Sequence, residues 1–188
     1  VGGCVRDLVL GREPKDWDVT TNALPEQVQA IFEKTVYENL FGTVAVCFPA
    51  KEIETVSSNT QIEGEKYDIV EVTTYRKESG YSDNRHPDSI TFSKTIEEEL
   101  ERRDFTMNAL AFDISKGHLK DIYGGLKDIE EGIVRTVGNA DERFSEDALR
   151  VLRAIRFSCE LGFAISYETL DAISRHKDKL ATISHERI

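Results

Sequence analysis

Long hydrophobic runs and clustered cysteines are both missing from this sequence of 188 residues. No apolar stretch approaches the roughly 18 residues that suggest a membrane-spanning helix, and no secretory signal pattern is visible. The three cysteines, Cys4, Cys47 and Cys159, are widely scattered and odd in number. A disulfide framework and a CxxC-type zinc site are therefore not predicted. We expect a protein without membrane contact in a reducing, cytoplasmic compartment.

Basic residues are also scarce, with 24 Lys and Arg against 35 Asp and Glu and a net charge of −11. A protein that holds nucleic acid over a broad surface needs Lys and Arg opposite the phosphates, so this composition argues against a broad basic face. The charge is unevenly distributed, because the residues from Asn139 onward contain 8 basic and 9 acidic side chains. Any contact with RNA should therefore be local, either on this C-terminal part or outside this sequence.

The chain changes character near residue 138. Before this point short helical patterns mix with strand-like alternation, whereas residues 144–161 and 166–174 show helical spacing. We predict an α/β domain over residues 1–137 and the start of a helical domain over 138–188. Because the sequence opens at what resembles the end of a strand and stops in mid-pattern, we expect it to be truncated at both ends.

Several local elements follow from the residue pattern. Alternation predicts a strand over residues 16–20, which would place Asp16 and Asp18 on one face. Pro25 suits the first position of a helix that runs to about Glu33. A mobile loop is expected over residues 77–89, which are rich in Gly, Ser, Asp, Asn and Pro. Further strands are predicted on β-branched and aromatic residues, namely residues 37–48, 67–75, 108–114 and 118–122.

Asp16 and Asp18 form the sharpest local feature. Two carboxylates two residues apart can hold Mg²⁺, which usually also takes substrate phosphate oxygens as ligands. One ion would lower the pKa of an attacking hydroxyl while a second stabilises a leaving pyrophosphate. The alternative is a solvated strand face without function, which an isolated Asp-x-Asp pattern leaves open.

A glycine pair, Gly2 and Gly3, stands ahead of Arg6 and is typical of a tight turn into a short helix. Glycines let a triphosphate approach the backbone, N–H groups at a helix start would face it, and Arg6 adds a fork of donors. The Walker and dinucleotide glycine patterns are both absent, so neither a P-loop nor a Rossmann site is predicted. A plain turn is the alternative.

A second cluster brings Arg102, Arg103, Asp104 and Asn108 together within seven residues. A basic pair, an acid and an amide can address the hydroxyls of a ribose and a phosphate at once. The alternative is pairing between arginine and aspartate at a helix end.

A third cluster repeats every three residues, at Asp147, Arg150, Arg153 and Arg156. This spacing predicts one polar stripe along a single helix, with leucine and isoleucine on the opposite side. Asp147 and Arg150 suit the hydrogen-bonding edge of a base, and the later arginines suit phosphates. The alternative is a surface helix with salt bridges.

Five motifs follow one another through the sequence, and these are Gly-Gly-x-Val-Arg-Asp, Asp-x-Asp-x-x-Thr, Arg-Arg-Asp-Phe-Thr-x-Asn-Ala, Asp-x-x-Gly-Gly-x-x-Asp and Glu-Asp-x-x-Arg. In this order the sequence resembles the family of class II tRNA nucleotidyltransferases and bacterial poly(A) polymerases over almost its whole length. The resemblance implies an α+β fold. It would comprise a DNA polymerase beta-like nucleotidyltransferase head with a mostly antiparallel sheet, followed by an all-helical neck that starts near residue 138.

The resemblance also implies roles for single residues. Asp16 and Asp18 correspond to catalytic ligands of two Mg²⁺ ions, with Glu71 as a candidate third carboxylate. The residues implied to bind the nucleotide are Gly2, Gly3, Arg6, Arg103, Asp104, Asn108, Asp147, Arg150, Arg153 and Arg156.

Within that set the resemblance separates two tasks. Arg103 and Asp104 would recognise the ribose, and Asp147 and Arg150 would pair with the incoming base. Residues 80–87 resemble the family's flexible loop, in which Asp83 and Arg85 are the candidate residues.

The implied reaction is the template-independent addition of C, A or both to the 3′ end of tRNA from CTP and ATP, with release of pyrophosphate. Gly42-Thr43-Val44 after Phe41 resembles the His-Gly-Thr-Val of tRNA-adding members. The basic segment usual in the poly(A) branch after the Asp-x-Asp strand is not apparent, which favours tRNA. Two alternatives stay open, a poly(A) polymerase acting on general RNA and a nucleotide- or RNA-binding domain without turnover. Most of the tRNA would be held by C-terminal parts outside this sequence.

Overall fold

The computed structural model describes residues 1–37, 41–49, 60–62, 65–81 and 87–182. The helices are α1 (Gly3–Val9), α2 (Pro25–Ile31), α3 (Ile96–Glu101), α4 (Gly125–Glu131), α5 (Ala140–Glu146), α6 (Leu149–Leu161) and α7 (Tyr167–His176). The strands are β1 (Asp18–Thr21), β2 (Thr35–Tyr37), β3 (Thr43–Pro49), β4 (Thr60–Ile62), β5 (Glu65–Thr74), β6 (Arg76–Ser79), β7 (Ser89–Phe92), β8 (Leu110–Asp113), β9 (His118–Asp121), β10 (Ile133–Val134) and β11 (Ala164–Ile165). Short 3-10 helices span Thr106–Asn108 and Lys177–Thr182.

The first of two compact units contains Val1–Lys77 and Thr91–Glu99. Its sheet has the strand order β1-β5-β3-β2, with β4 also paired to β5. β1 runs parallel to β5, whereas β3 and β4 pair with β5 and β2 pairs with β3 in the antiparallel sense. The ten-residue β5 therefore sets the register of the strands beside it.

Helix α2 covers one face of this sheet. Pro25 occupies the first helical turn, where the missing N–H would have had no partner within the helix. Val28 is 3 % exposed and packs in one cluster with Val44, Val46 and Val72 of the sheet. Each buried valine contributes roughly 1.5 kcal/mol or more. Because side chains alternate along a strand, the residues next to Val72 point to the other face.

The second unit contains Glu78–Ile90 and Leu100–Ile188. β8 and β9 form an antiparallel hairpin, and β10 pairs in parallel with β11. Phe105 is fully buried and meets Phe157 of α6 edge to face, with 5.8 Å between ring centroids. The residue before Phe105 is also held in place, because the Asp104 carbonyl accepts a hydrogen bond from Val137 N–H at 3.0 Å. Helices and extended segments thus share one core.

The structure corrects three sequence predictions. β1 begins at Asp18, so Asp16 lies in a bend before the strand and the two carboxylates do not share a strand face. The single helix predicted over residues 144–161 is two helices, because Asp147 is extended (φ −141°, ψ 107°) and ends α5. The loop predicted over 77–89 includes residues of β6 and β7, which pair with each other.

Other predictions are confirmed. The fold mixes helices with mostly antiparallel strands, α2 begins at Pro25, and the hairpin of β8 and β9 lies within the predicted strand pair. Between residues 139 and 182 the regular elements are helices apart from the two-residue β11. The domain boundary near 138 stays a prediction.

Candidate active site

Asp18 and Glu71 lie side by side in the first unit. They are register partners on the parallel strands β1 and β5, so their side chains point to the same face of the sheet. This is the face opposite Val72 and α2. Asp18 is half-buried, and Asp16 and Glu71 are exposed. The sheet thus presents two carboxylates on one face, with the third in the bend that leads into β1.

A row of threonine hydroxyls crosses the same face two residues further along. Thr20, Thr73 and Thr43 are register partners on β1, β5 and β3. Thr20 donates to the Thr73 carbonyl at 2.9 Å, and the Thr43 and Thr73 hydroxyls are 3.1 Å apart. These bonds tie β1 to its neighbours next to Asp18. Sequence reasoning missed this row, because the pairing of strands 50 residues apart is not visible in a local pattern.

The glycine turn before α1 stands where the sequence predicts it. Gly2 has a positive φ of 74° and precedes the helix, and a Cβ on Gly3 would meet the Arg6 guanidinium at 3.7 Å. Arg6 is buried, and its Nε and Nη2 donate to one oxygen of Asp7 at 2.8 and 2.7 Å. The Cys4 thiol lies 3.8 Å from the Asp18 carbonyl, which places α1 next to β1.

Oxygen donors of this kind suit a hard divalent cation. Mg²⁺ is usually bound through one or two carboxylates together with waters and substrate phosphates, and a complete protein cage is not required. Asp16 and Asp18 meet that requirement by their chemistry. Among the described residues, no group of three or more His, Cys, Asp or Glu side chains is placed to hold a metal.

In the second unit Asp104 is the most heavily bonded carboxylate of the predicted site. Its Oδ1 accepts from Phe105 N–H at 2.8 Å and from the Asn108 amide at 3.2 Å. Its Oδ2 accepts from Arg153 Nε at 2.7 Å and Nη2 at 2.6 Å. Burial alone would raise the pKa of the Asp104 carboxyl, but the charge of Arg153 and these hydrogen bonds outweigh burial and lower it. Asp104 is therefore held ionised and in one orientation.

Asp147 and Arg150 stand at the start of α6. Asp147 Oδ1 accepts from Leu149 N–H at 2.9 Å, so the carboxylate caps the first turn. Burial raises the pKa of the Asp147 carboxyl, although Arg150 and Arg153 act in the opposite direction. Arg150 is only 7 % exposed. Its Nη1 donates to Glu146 at 2.6 Å and its Nη2 to the Arg102 carbonyl at 3.3 Å.

The predicted arginine stripe divides into three environments. Arg150 is buried, Arg153 has a side chain 41 % exposed and pairs with Asp104, and Arg156 has a side chain 54 % exposed near Glu160 at 3.9 Å. The prediction of one stripe on a single helix is therefore wrong. Asp147 lies before α6, outside the helix that carries the three arginines.

This part of the unit is supported by three residues that the sequence did not single out, Arg143, Glu78 and Tyr81. Glu146 contacts Arg143 at 3.4 Å, and Arg143 donates to the Glu101 carbonyl at 3.2 Å. Glu78 pairs with Arg102 at 3.3 Å and accepts from Tyr81 at 2.8 Å. Burial, together with the Glu78 charge, raises the pKa of Tyr81 well above its usual value. Arg103, which stands between Arg102 and Asp104 in the sequence, is half-buried.

The fourth motif has a structural role. The Asp121 carboxylate accepts from the N–H groups of Gly125 and Leu126, each at 2.9 Å, at the start of α4. The buried Asp128 accepts from the Thr106 hydroxyl at 2.6 Å and pairs with Arg135 at 3.2 Å. α4 is thereby fixed to the segment that carries Asp104. The loop candidates Asp83 and Arg85 lie outside the described residues.

Three comparisons place these observations among known proteins. The Poly A polymerase head domain model matches residues 1–135. The chain is 47% identical to the CCA-adding enzyme of Geobacillus thermodenitrificans (strain NG80-2), over 100% of this chain and 42% of that protein. The crystal structure of the Bacillus stearothermophilus CCA-adding enzyme in complex with CTP superposes with a TM-score of 0.81 at 45% identity, covering 100% of this chain and 41% of that one.

A structure of a tRNA nucleotidyltransferase complexed with a primer tRNA and an incoming ATP analog also matches, with a TM-score of 0.69 at 29% identity over 100% of this chain and 49% of that one. Sheet, helices and these superpositions define a nucleotidyltransferase fold. The chain belongs to the family described by the Poly A polymerase head domain. It spans less than half the length of the relatives it matches. None of the described helices is both long and apolar enough to cross a membrane.

Proposed function

We propose that this chain carries the catalytic part of a tRNA nucleotidyltransferase that adds C and A to the 3′ end of tRNA. The observation that carries the proposal is the pair of register partners Asp18 and Glu71, which lie on the sheet face left open by α2, with Asp16 just before the strand. The relatives are named CCA-adding enzymes, which supports CTP and ATP as nucleotides and tRNA as the acceptor.

In the proposed reaction the 3′-hydroxyl of the RNA attacks the α-phosphorus of the incoming CTP or ATP. A new phosphodiester bond forms, the bond between the α-phosphorus and the bridging oxygen breaks, pyrophosphate leaves with that electron pair, and the proton of the attacking hydroxyl is released to solvent. Asp16 and Asp18 are proposed to hold two Mg²⁺ ions, with Glu71 as a third carboxylate beside them. When bound, such ions lower the pKa of the attacking hydroxyl and stabilise the negative charge of the leaving group.

Nucleotide recognition is proposed for both units. Gly2, Gly3 and Arg6 would contact the triphosphate, and the resemblance of their motif to the family supports this. Arg103, Asp104 and Asn108 would contact the ribose, since the Asp104 carboxylate is ionised and fixed by its neighbours. Base and phosphate contacts are proposed for Asp147, Arg150, Arg153 and Arg156, and loop contacts for Asp83 and Arg85.

The division of labour within the chain is also a proposal. We place the head at residues 1–137 and the start of the neck at 138–188, and the family model ends close to this boundary at residue 135.

The three cysteines are free thiols, which agrees with a reducing, cytoplasmic compartment.

The test is incorporation of labelled nucleotide. The chain is assayed alone and in place of the matching segment of the Geobacillus thermodenitrificans relative, with Mg²⁺, CTP or ATP, and tRNA lacking its CCA end. Uptake of both nucleotides that stops after three would establish CCA addition. ATP-only extension that continues without limit would identify a poly(A) polymerase, and no transfer in either form would favour a binding domain without turnover.

Two variants sharpen this assay. Asp18→Asn should abolish transfer while the chain stays folded, because the amide keeps the shape of the carboxylate but not its charge. Asp113→Asn is the control, since Asp113 is a carboxylate in the hairpin turn that accepts from Ser115 and Lys116. Transfer that survives in Asp18→Asn would contradict the proposed mechanism.

A further inference from the structure

Asp104 is bonded differently on its two carboxylate oxygens. Oδ1 is committed to the chain's own turn, through Phe105 N–H and the Asn108 amide. Oδ2 accepts from the Arg153 guanidinium at 2.7 and 2.6 Å. A carboxylate offers about four lone-pair positions, and these four contacts occupy all of them, so a further hydroxyl would share an oxygen with one of these donors. Oδ2 is the oxygen whose donor, the Arg153 side chain, is partly exposed to solvent.

Arg153 is itself held from two directions. Its guanidinium donates to Asp104, and its carbon lies 5.3 Å from the centroid of the Phe157 ring one turn later on α6. Its side chain is nevertheless 41 % exposed, whereas that of Asp104 is 9 % exposed. The arginine thus reaches from solvent to a buried carboxylate.

We propose that Arg153 is a positioning residue that sets the preference for a ribose over a deoxyribose by holding Asp104 ionised with Oδ2 in a fixed direction. This rests on the proposed function, in which Asp104 contacts the ribose. The resemblance had placed Arg153 on the nucleotide itself. The geometry points instead to an action through Asp104.

Charge and orientation are both needed for this role. An ionised carboxylate accepts a strong, short hydrogen bond from a hydroxyl, whereas a protonated carboxylic acid is a weaker acceptor. A buried carboxyl without a cation is driven toward its neutral form. Loss of Arg153 would therefore weaken the bond to a sugar hydroxyl even though Asp104 remains. A deoxyribose lacks the 2′-hydroxyl, so its binding should change less.

The experiment compares the binding of CTP and 2′-deoxy-CTP to this chain in Mg²⁺ by calorimetry. Asp104→Asn and Arg153→Gln should each reduce the preference for CTP, by roughly tenfold as expected for a hydrogen bond to a charged group. The double variant should lose no more than either single variant, because both act on one contact. Arg153→Lys keeps the charge without the fork and should retain part of the preference.

The control is Arg175→Gln, which removes another arginine–aspartate pair of the same unit, to Asp141 at 2.8 Å. It should leave the preference unchanged, so that a general loss of stability is separated from a loss of sugar recognition. Thermal melting of each variant shows whether it is folded. If Arg153→Gln does not fold, the preference for CTP over 2′-deoxy-CTP is measured on Arg153→Lys instead. Loss of the preference in Asp104→Asn but not in either Arg153 variant would overturn the role of Arg153. Equal binding of CTP and deoxy-CTP by the unmodified chain would instead overturn the ribose contact on which that role rests.

Discussion

The carbonyl oxygen of Thr106 lies 2.2 Å from the position that a Cβ atom on Gly125 would occupy. The Thr106 carbonyl and the Gly125 Cα both belong to the backbone, which cannot move aside as a flexible side chain could. We therefore expect Gly125→Ala to destabilise the fold by about 3 kcal/mol or more, at the upper end of the cost of overpacking. Urea denaturation of the variant measures this loss.

The neighbouring glycine provides the control. Gly124 has a φ of 73° but no atom within 4 Å of its Cβ position, so Gly124→Ala carries only the cost of a left-handed backbone, about 1–2 kcal/mol. If both variants lost the same stability, close approach to Thr106 would not be the reason that position 125 is glycine.

The hydrogen bond from Thr106 to Asp128 predicts a second stability effect. Thr106→Val keeps the shape of the side chain but removes the 2.6 Å bond to a buried carboxylate. We expect a loss of about 1.5–3 kcal/mol, as is usual for a bond to a charged group. Ser115→Ala is the matched control, because Ser115 donates to Asp113 at the same 2.6 Å on an exposed turn. A similar loss in the two variants would show that burial does not matter here.

Asp147→Asn predicts a pH dependence. Burial raises the pKa of this carboxyl in the folded chain, so its ionisation costs stability at neutral pH, and the cost disappears as pH falls through the folded pKa. Asparagine keeps the cap on Leu149 without the charge. The variant should therefore be more stable than the original chain at pH 7, with the difference shrinking toward pH 4. A difference that grew on acidification would contradict the direction of the shift.

Metal binding can be followed without turnover, because the chain contains a single tryptophan, Trp17, between the two predicted metal ligands. Trp17 is 42 % exposed. Titration with Mn²⁺, a paramagnetic ion that accepts the same oxygen ligands, should quench its fluorescence. Asp16→Asn and Asp18→Asn should weaken this response, whereas Glu13→Gln, an exposed carboxylate nearby, should not. Unchanged quenching in both aspartate variants would place the metal elsewhere.

Local sequence patterns predicted a helix or hairpin correctly where a single short segment determines that element. Pro25 opens α2 because proline lacks an N–H and none is needed at this position, and the hairpin of β8 and β9 follows from alternation on either side of a glycine. The same reasoning failed at Asp147, since a three-residue repeat continues through a capping residue without any change in the pattern. The cap is visible only when Leu149 N–H is seen to bind the carboxylate.

The sequence indicated candidate residues for the site but not which of them contact one another. The roles assigned to Asp16, Asp18 and Asp104 from their motifs stay predictions. Arg153 was assigned to the nucleotide, and its contact with Asp104 was not predicted. Its partner is 49 positions earlier in the chain, and no spacing rule connects residues across such a distance. Glu71 beside Asp18 depends in the same way on strand pairing, which the tertiary fold decides.

The long separation between Asp104 and Arg153 has a consequence for how the molecule is made. When residue 104 leaves the ribosome, the guanidinium that neutralises it has not yet been synthesised. A nascent chain that ends at residue 137 would still have to bury this carboxylate without its cation, which is unfavourable. The environment of Asp104 is therefore completed only by helix α6, and a chain shortened before α6 should leave this carboxylate without its partner.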